Sequence, residues 1–399
     1  MMQITYSLVF IVISVLIYWL LLPVKWRNIF LLAVSLFFMS LFSIKYTLYL
    51  FLNVLLVYLA GTYIKRSEEN RKSLLISALA LLIGNLLFFK YVDLLFNTVF
   101  KSGAPFSVLP ATTFSKILMP VGMSYILFRL IHYIVEIYRK TLPEHSFSDL
   151  ALYVFFFPTF LAGPVDRFQN VQPQTAQNKS FDPSDINYGL LRIISGMIKK
   201  FVVADSLKPF IMPVLSSPHE YSWGIVMLSV YGIAIQIYMD FSGYTDMALG
   251  TARLFGYKII ENFNYPYFKK NIALYWRNWH MSVYSFIRDY FFFPFFGYKA
   301  TQAKIYAGMF LTMVVFCLWH GGSLHFLILG VYHGTGLVVW QCFQEIKNRH
   351  KRLKKVVDSK YLDPASIFLT FNFVSLGHVI FAFEMDAATS IFKRIFLPS

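Results

Sequence analysis

Charge-poor apolar runs recur along this chain, and each has to find a medium other than water. Residues 4–22, 29–44, 46–64, 73–89, 223–239, 324–344 and 365–383 each come near the ~20 residues that carry a helix across a ~30 Å hydrocarbon core. Hydrophobic residues make up 57% of the 399 and charged residues 14%, which is more apolar surface than a water-soluble domain of this size hides. The chain therefore reads as an all-α polytopic membrane protein. Runs 117–138, 151–161 and 186–211 are brief or interrupted by Arg129, His132, Glu136, Arg192, Lys199, Lys200 and Asp205. Together with run 305–319 they bring the expected total to about eleven membrane-embedded helices in one domain over residues 1–399.

The first run lacks a basic leader and a small-x-small cleavage site and is too long for a signal-peptide core, so it is expected to stay as helix one. A net charge of +16 could point to nucleic acid, but the basic residues cluster in short connections, at 25–27, 65–72, 139–140 and 347–355. That pattern is the one membrane orientation demands, and it argues against a nucleic-acid partner. Cytoplasmic placement of these connections puts both termini outside the cell. Cys317 and Cys342 lie inside apolar runs and suggest neither a disulfide nor a metal site. The most polar stretch, 166–185, reads as a loop or interfacial segment.

Two strings carry the chemistry, Trp279-His280-Met281-Ser282 and Trp319-His320-Gly321-Gly322. An imidazole among apolar runs needs a polar partner or a reaction to offset its desolvation, so both histidines are functional candidates. His320 ends an apolar run, and the glycines after it allow a substrate or another backbone to approach. Acyl transfer to a hydroxyl needs a base, a task a neutral imidazole suits near neutral pH; a structural, hydrogen-bonded histidine is the plainer alternative.

Other elements point the same way. Run 223–239 leads into Asp240-Phe241-Ser242-Gly243-Tyr244-Thr245-Asp246, where two carboxylates and a glycine are expected to break helical pairing beside a wet cavity. Beyond it Asn262, Arg277, Ser282, Arg288 and Asp289 mix charge with aromatic rings, as re-entrant elements around a polar funnel would, or an interfacial belt. Arg277, Arg288 and Asp240 also suit ordinary ion pairs or caps. His325 and His333 are eight residues apart and share roughly one helical face, yet no carboxylate or thiol pattern joins them to His320, so no metal is expected. A serine nucleophile would need an elbow or a Ser-x-x-Lys pair in a suitable fold, and neither stands out. A membrane transporter or channel with structural histidines is the competing class, but paired half-repeats are absent.

Several strings then fall in a telling order: Phe157-Pro158, Ala162-Gly163-Pro164-Val165-Asp166-Arg167-Phe168, Asp240 to Tyr244, Asn262-Phe263 with Pro266, Trp276 to Ser282, Arg288-Asp289-Tyr290 and Leu318-Trp319-His320-Gly321. Over nearly its whole length the chain resembles the membrane-bound O-acyltransferase family, in its bacterial branch of alginate O-acetylation and D-alanyl-teichoic acid transfer. The resemblance implies a helical bundle around a funnel and tunnel in the bacterial cytoplasmic membrane. It also implies His320 and His280 as the catalytic pair, with Trp279, Trp319, Asp240, Tyr244, Asn262, Arg277, Ser282, Arg288, Asp289 and His333 as candidates for the tunnel wall. No cofactor is implied. The donor would be a cytoplasmic thioester, acetyl-CoA or an acyl or D-alanyl carrier protein. The acceptor would be a surface polysaccharide or teichoic acid hydroxyl, reached directly or through an extracytoplasmic transferase or anchored partner, with membrane lipid around the chain.

Phe241 to Ala248, Arg27-Asn28 and Phe89-Lys90-Tyr91 look like the acetylation branch. Pro158-Thr159 with Val165-Asp166-Arg167, His280-Met281-Ser282 and the short C-terminus look like the D-alanyl branch; acetyl is favoured. Arg277-Asn278 departs from the usual Arg-Arg or Asn-Arg, and Tyr275 from the usual Phe.

Overall fold

Apolar runs without internal breakers have one low-cost backbone state in lipid, the helix, and the described apolar runs adopt it. The computed structural model describes residues 2–100, 122–161, 163–177, 179–297 and 301–397. Residues 117–121 of the expected run 117–138, and Ala162 of the quoted string, lie outside these. Among the described residues every regular element is helical. Five helices are long and apolar enough to cross a membrane: Ile44–Arg66, Arg71–Tyr91, Trp223–Leu254, Leu324–Arg349 and Lys360–Ala382. Leu8–Leu21 and Gln302–Leu318 are shorter apolar helices.

Local chemistry sets the ends. The Ser43 hydroxyl accepts from the Tyr46 backbone N–H at 3.4 Å to open Ile44–Arg66, and Lys65 and Arg66 occupy its last turn, where the helix dipole favours cations.

Two compact units emerge, Met1–Ser195 with Tyr244–Ile260, and Gly196–Gly243 with Glu261–Ser399; helix Trp223–Leu254 contributes to each. In the first unit Arg129 is 1% exposed. Its guanidinium donates to the carbonyls of Tyr153 at 3.1 Å, Val154 at 2.9 Å and Thr159 at 3.1 Å, and to the Thr159 hydroxyl at 2.7 Å. A buried charge is tolerable only when its donors are used this fully. The segment around Phe157-Pro158 is therefore held by Arg129. His132 and Glu136 are likewise structural: His132 Nε2 accepts the Phe168 N–H at 2.9 Å, and Glu136 pairs with Arg139 at 2.8 Å.

One expectation is narrowed here, from a loop or interfacial segment to one that carries a helix, and another fails. The stretch 166–185 contains a helix, Phe168–Ala176, because Phe168, Val171 and Thr175 recur at helical spacing and are buried on one face. The Asp166 carboxylate takes the Arg167 N–H at 2.7 Å and the Ile260 N–H at 3.2 Å beside it. The expected break at Asp240–Gly243 is also absent, since helix Trp223–Leu254 runs straight through. Gly243 serves contact instead: a Cβ there would lie 2.7 Å from the Gly196 carbonyl oxygen and 3.0 Å from the Lys200 nitrogen. Asp240 pairs with Lys200, which also holds Asp205 at 2.9 Å, and in the first unit Asp246 pairs with Arg192 at 2.8 Å.

Candidate active site

The site belongs to the second unit and starts from an amide. Asn262 is fully buried, and its Oδ1 accepts from the Ser282 N–H at 3.2 Å, the Ser282 hydroxyl at 2.9 Å and His280 Nδ1 at 3.1 Å. A backbone N–H only donates, so the atom facing it must be the amide oxygen. Nδ1 of His280 then carries the proton and Nε2 is the lone-pair nitrogen. The Asn262 carbonyl also takes the Met281 N–H at 2.9 Å. These bonds hold His280 at φ +47°, a left-handed conformation that costs a non-glycine residue about 1–3 kcal/mol. Helix Ile272–Asn278, capped by the Asn271 side chain on the Leu274 N–H at 2.9 Å, delivers Trp276 and, at its end, Trp279.

A chamber of about 70 Å³ lies there, and four histidines line it: His280, His320, His333 and His378. Their neighbours are mostly apolar, including Phe241, Trp276, Trp279, Phe316 and Phe381. His320 follows helix Gln302–Leu318, whose backbone tightens as the His320 N–H bonds to the Cys317 carbonyl at 3.0 Å. Its ring lies 5.7 Å from Phe316 and 5.2 Å from Phe381, and close enough to His280 for the two imidazoles to interact electrostatically. His333, on helix Leu324–Arg349, stands edge-on to Trp276 at 4.9 Å. Gly377 makes room for it, since a Cβ there would lie 2.6 Å from His333 Nε2. His378 donates Nδ1–H to the Val374 carbonyl at 2.7 Å, which makes its Nε2 an acceptor.

Of the residues expected from the sequence, His280, His320, His333 and Trp279 line the chamber. Trp319 lies near it, its ring tilted and 6.1 Å from the His280 ring, and Asn262 and Ser282 support His280 from behind. Asp240 is engaged with Lys200, Arg277 is exposed at the end of its helix, and Arg288 pairs with Asp289 at 2.8 Å; none of these lines the chamber. Tyr244 belongs to the first unit, beside Tyr125 and Arg129. His325 shares a helix with His333 but meets Glu384 at 3.2 Å. Among the described residues no group of three or more His, Cys, Asp or Glu side chains forms a metal-binding cluster. Sequence reasoning missed His378. Its signal was the one that singled out His320, an ionisable residue inside an apolar run, here 365–383.

Fold and site together define an all-α integral membrane protein with a buried, histidine-lined chamber. Residues 106–381 match the membrane-bound O-acyltransferase family, to which the chain belongs. Among its relatives, the probable alginate O-acetylase AlgI of Azotobacter vinelandii is 33% identical over 313 residues, 77% of this chain and 60% of that protein. The peptidoglycan O-acetyltransferase of Helicobacter pylori is 28% identical over 400 residues, covering 92% and 73%. The teichoic acid D-alanyltransferase of Bacillus subtilis is 31% identical over 277 residues, covering 66% and 68%. The chain thus spans about 60% of the length of the AlgI relative.

Proposed function

We propose that this chain moves an acyl group, acetyl in the first instance, from a thioester donor to a hydroxyl of a cell-surface polymer. The observation that carries this reading is the convergence of both histidine strings on one chamber with a mostly apolar lining. Chemistry there needs one base and a neighbour of fixed orientation. His320 takes the proton as the hydroxyl oxygen attacks the thioester carbonyl carbon. The C–S bond then breaks, the ester forms, and the imidazolium returns the proton to the departing thiolate. His280, its tautomer set by Asn262, presents an Nε2 lone pair that steadies the imidazolium formed at His320.

The donor, acetyl-CoA or an acyl carrier protein, comes from the cytoplasm; the polysaccharide or teichoic acid acceptor lies outside, served directly or through an extracytoplasmic partner. About eleven embedded helices around a funnel, in a bacterial cytoplasmic membrane with both termini outside, would bring the two together. Two relatives named for O-acetyl transfer favour acetyl over D-alanyl.

The test uses the chain in sealed vesicles, with labelled acetyl thioester on the side of residues 65–72 and polymer on the other. Transfer should occur and should fall by about 10²-fold or more in His320→Gln, the scale of a lost general base, with the protein still inserted. Undiminished transfer by His320→Gln, as a carrier with structural histidines would give, overturns the assignment.

A further inference from the structure

We infer that the chamber is the acyl pocket and that its size and lining select an acetyl group, with Leu329 as the wall that limits chain length; this rests on the acyl-transfer reading above. The volume is about 70 Å³. An apolar protein cavity of about 150 Å³ accommodates benzene, six heavy atoms. By that measure this chamber holds about three, which is the methyl carbon, carbonyl carbon and oxygen of an acetyl group. Butyryl and D-alanyl groups each bring five.

Charge excludes D-alanyl a second time. Its ammonium would need a carboxylate or full solvation when buried, and among the described residues no Asp or Glu lines the chamber. The histidines are poor substitutes for a carboxylate, because a neutral imidazole offers one lone pair and no charge, and a protonated one repels a cation.

Leu329 is the wall to change. It is 4% exposed, lines the chamber, and sits one turn before His333 on the same helix. Phe316 and Phe381 also line the chamber, but their rings touch His320, so altering them would disturb the base. Leu329→Ala removes three carbons from the wall, enough for the two extra heavy atoms of a butyryl chain. It leaves the charge exclusion intact, so D-alanyl should stay poor.

Membranes from cells with and without the full chain would be given acetyl, butyryl and D-alanyl thioesters of the same phosphopantetheine arm, with de-acylated surface polymer as acceptor. In the unaltered chain, acetyl transfer should exceed butyryl transfer by about 100-fold or more, two methylenes at about 10-fold or more each in an apolar pocket. Leu329→Ala should raise the butyryl-to-acetyl ratio by at least about 10-fold without raising the D-alanyl rate. Leu329→Val, which removes one carbon, should shift the propionyl-to-acetyl ratio the same way and serves if the alanine variant does not fold. Acetyl transfer with donor ratios unchanged in the folded variants overturns the pocket assignment and leaves the acyl-transfer reading standing. Preference of the unaltered chain for D-alanyl also overturns it. Transfer from none of the three donors overturns both.

Discussion

Asn262→Ala is the perturbation that most directly tests how the site is held. The amide oxygen takes three donors, the Ser282 N–H, the Ser282 hydroxyl and His280 Nδ1, and Asn262 is 0% exposed. Truncation strands all three where water has little access, and a buried donor without a partner costs about 1–3 kcal/mol. The sum is about 3 kcal/mol or more, less whatever the hydroxyl recovers by rotating. His280 would also lose the acceptor that fixes its tautomer and the support for its left-handed backbone. Ser282→Ala removes only one of the three bonds and should cost about 1 kcal/mol. Thermal unfolding of the detergent-solubilised variants should therefore rank the chain, Ser282→Ala and Asn262→Ala in descending stability. Acyl transfer, measured where each is folded, should fall much further in Asn262→Ala than in Ser282→Ala. If Asn262→Ala melts and transfers like the unaltered chain, the buried network does not set the His280 geometry.

Gly243→Ala should destabilise the second unit by about 1–3 kcal/mol, because the added methyl meets the Gly196 carbonyl and Lys200 nitrogen, which are backbone and cannot swing aside; normal accumulation and melting would remove the close-contact explanation for that glycine. For topology, single cysteines at Ser67 or Lys354, in a background without Cys317 and Cys342, should resist an impermeant thiol reagent in intact cells; ready labelling of both would invert the orientation drawn from the basic connections.

What the sequence determined by itself follows from the solvent. In hydrocarbon a backbone must pair its own polar groups, so an apolar run such as 46–64 has little choice but the helix Ile44–Arg66, and its ends are set by Ser43, Lys65 and Arg66 nearby in sequence. The histidines at 280 and 320 were legible for the same reason, as desolvated groups that need a purpose. Tertiary structure decided what depends on distant partners. Gly243 looks like a helix break in one dimension and becomes a contact point only when Gly196 lies against it. Asp240 looks like a candidate for the site until Lys200 takes it, and Asn262 acquires its role only from the three donors around it. His378 joined the chamber through a helix almost sixty residues beyond His320. Periodicity and composition report the environment each residue seeks, whereas a site depends on which residues seek the same place, and packing alone settles that.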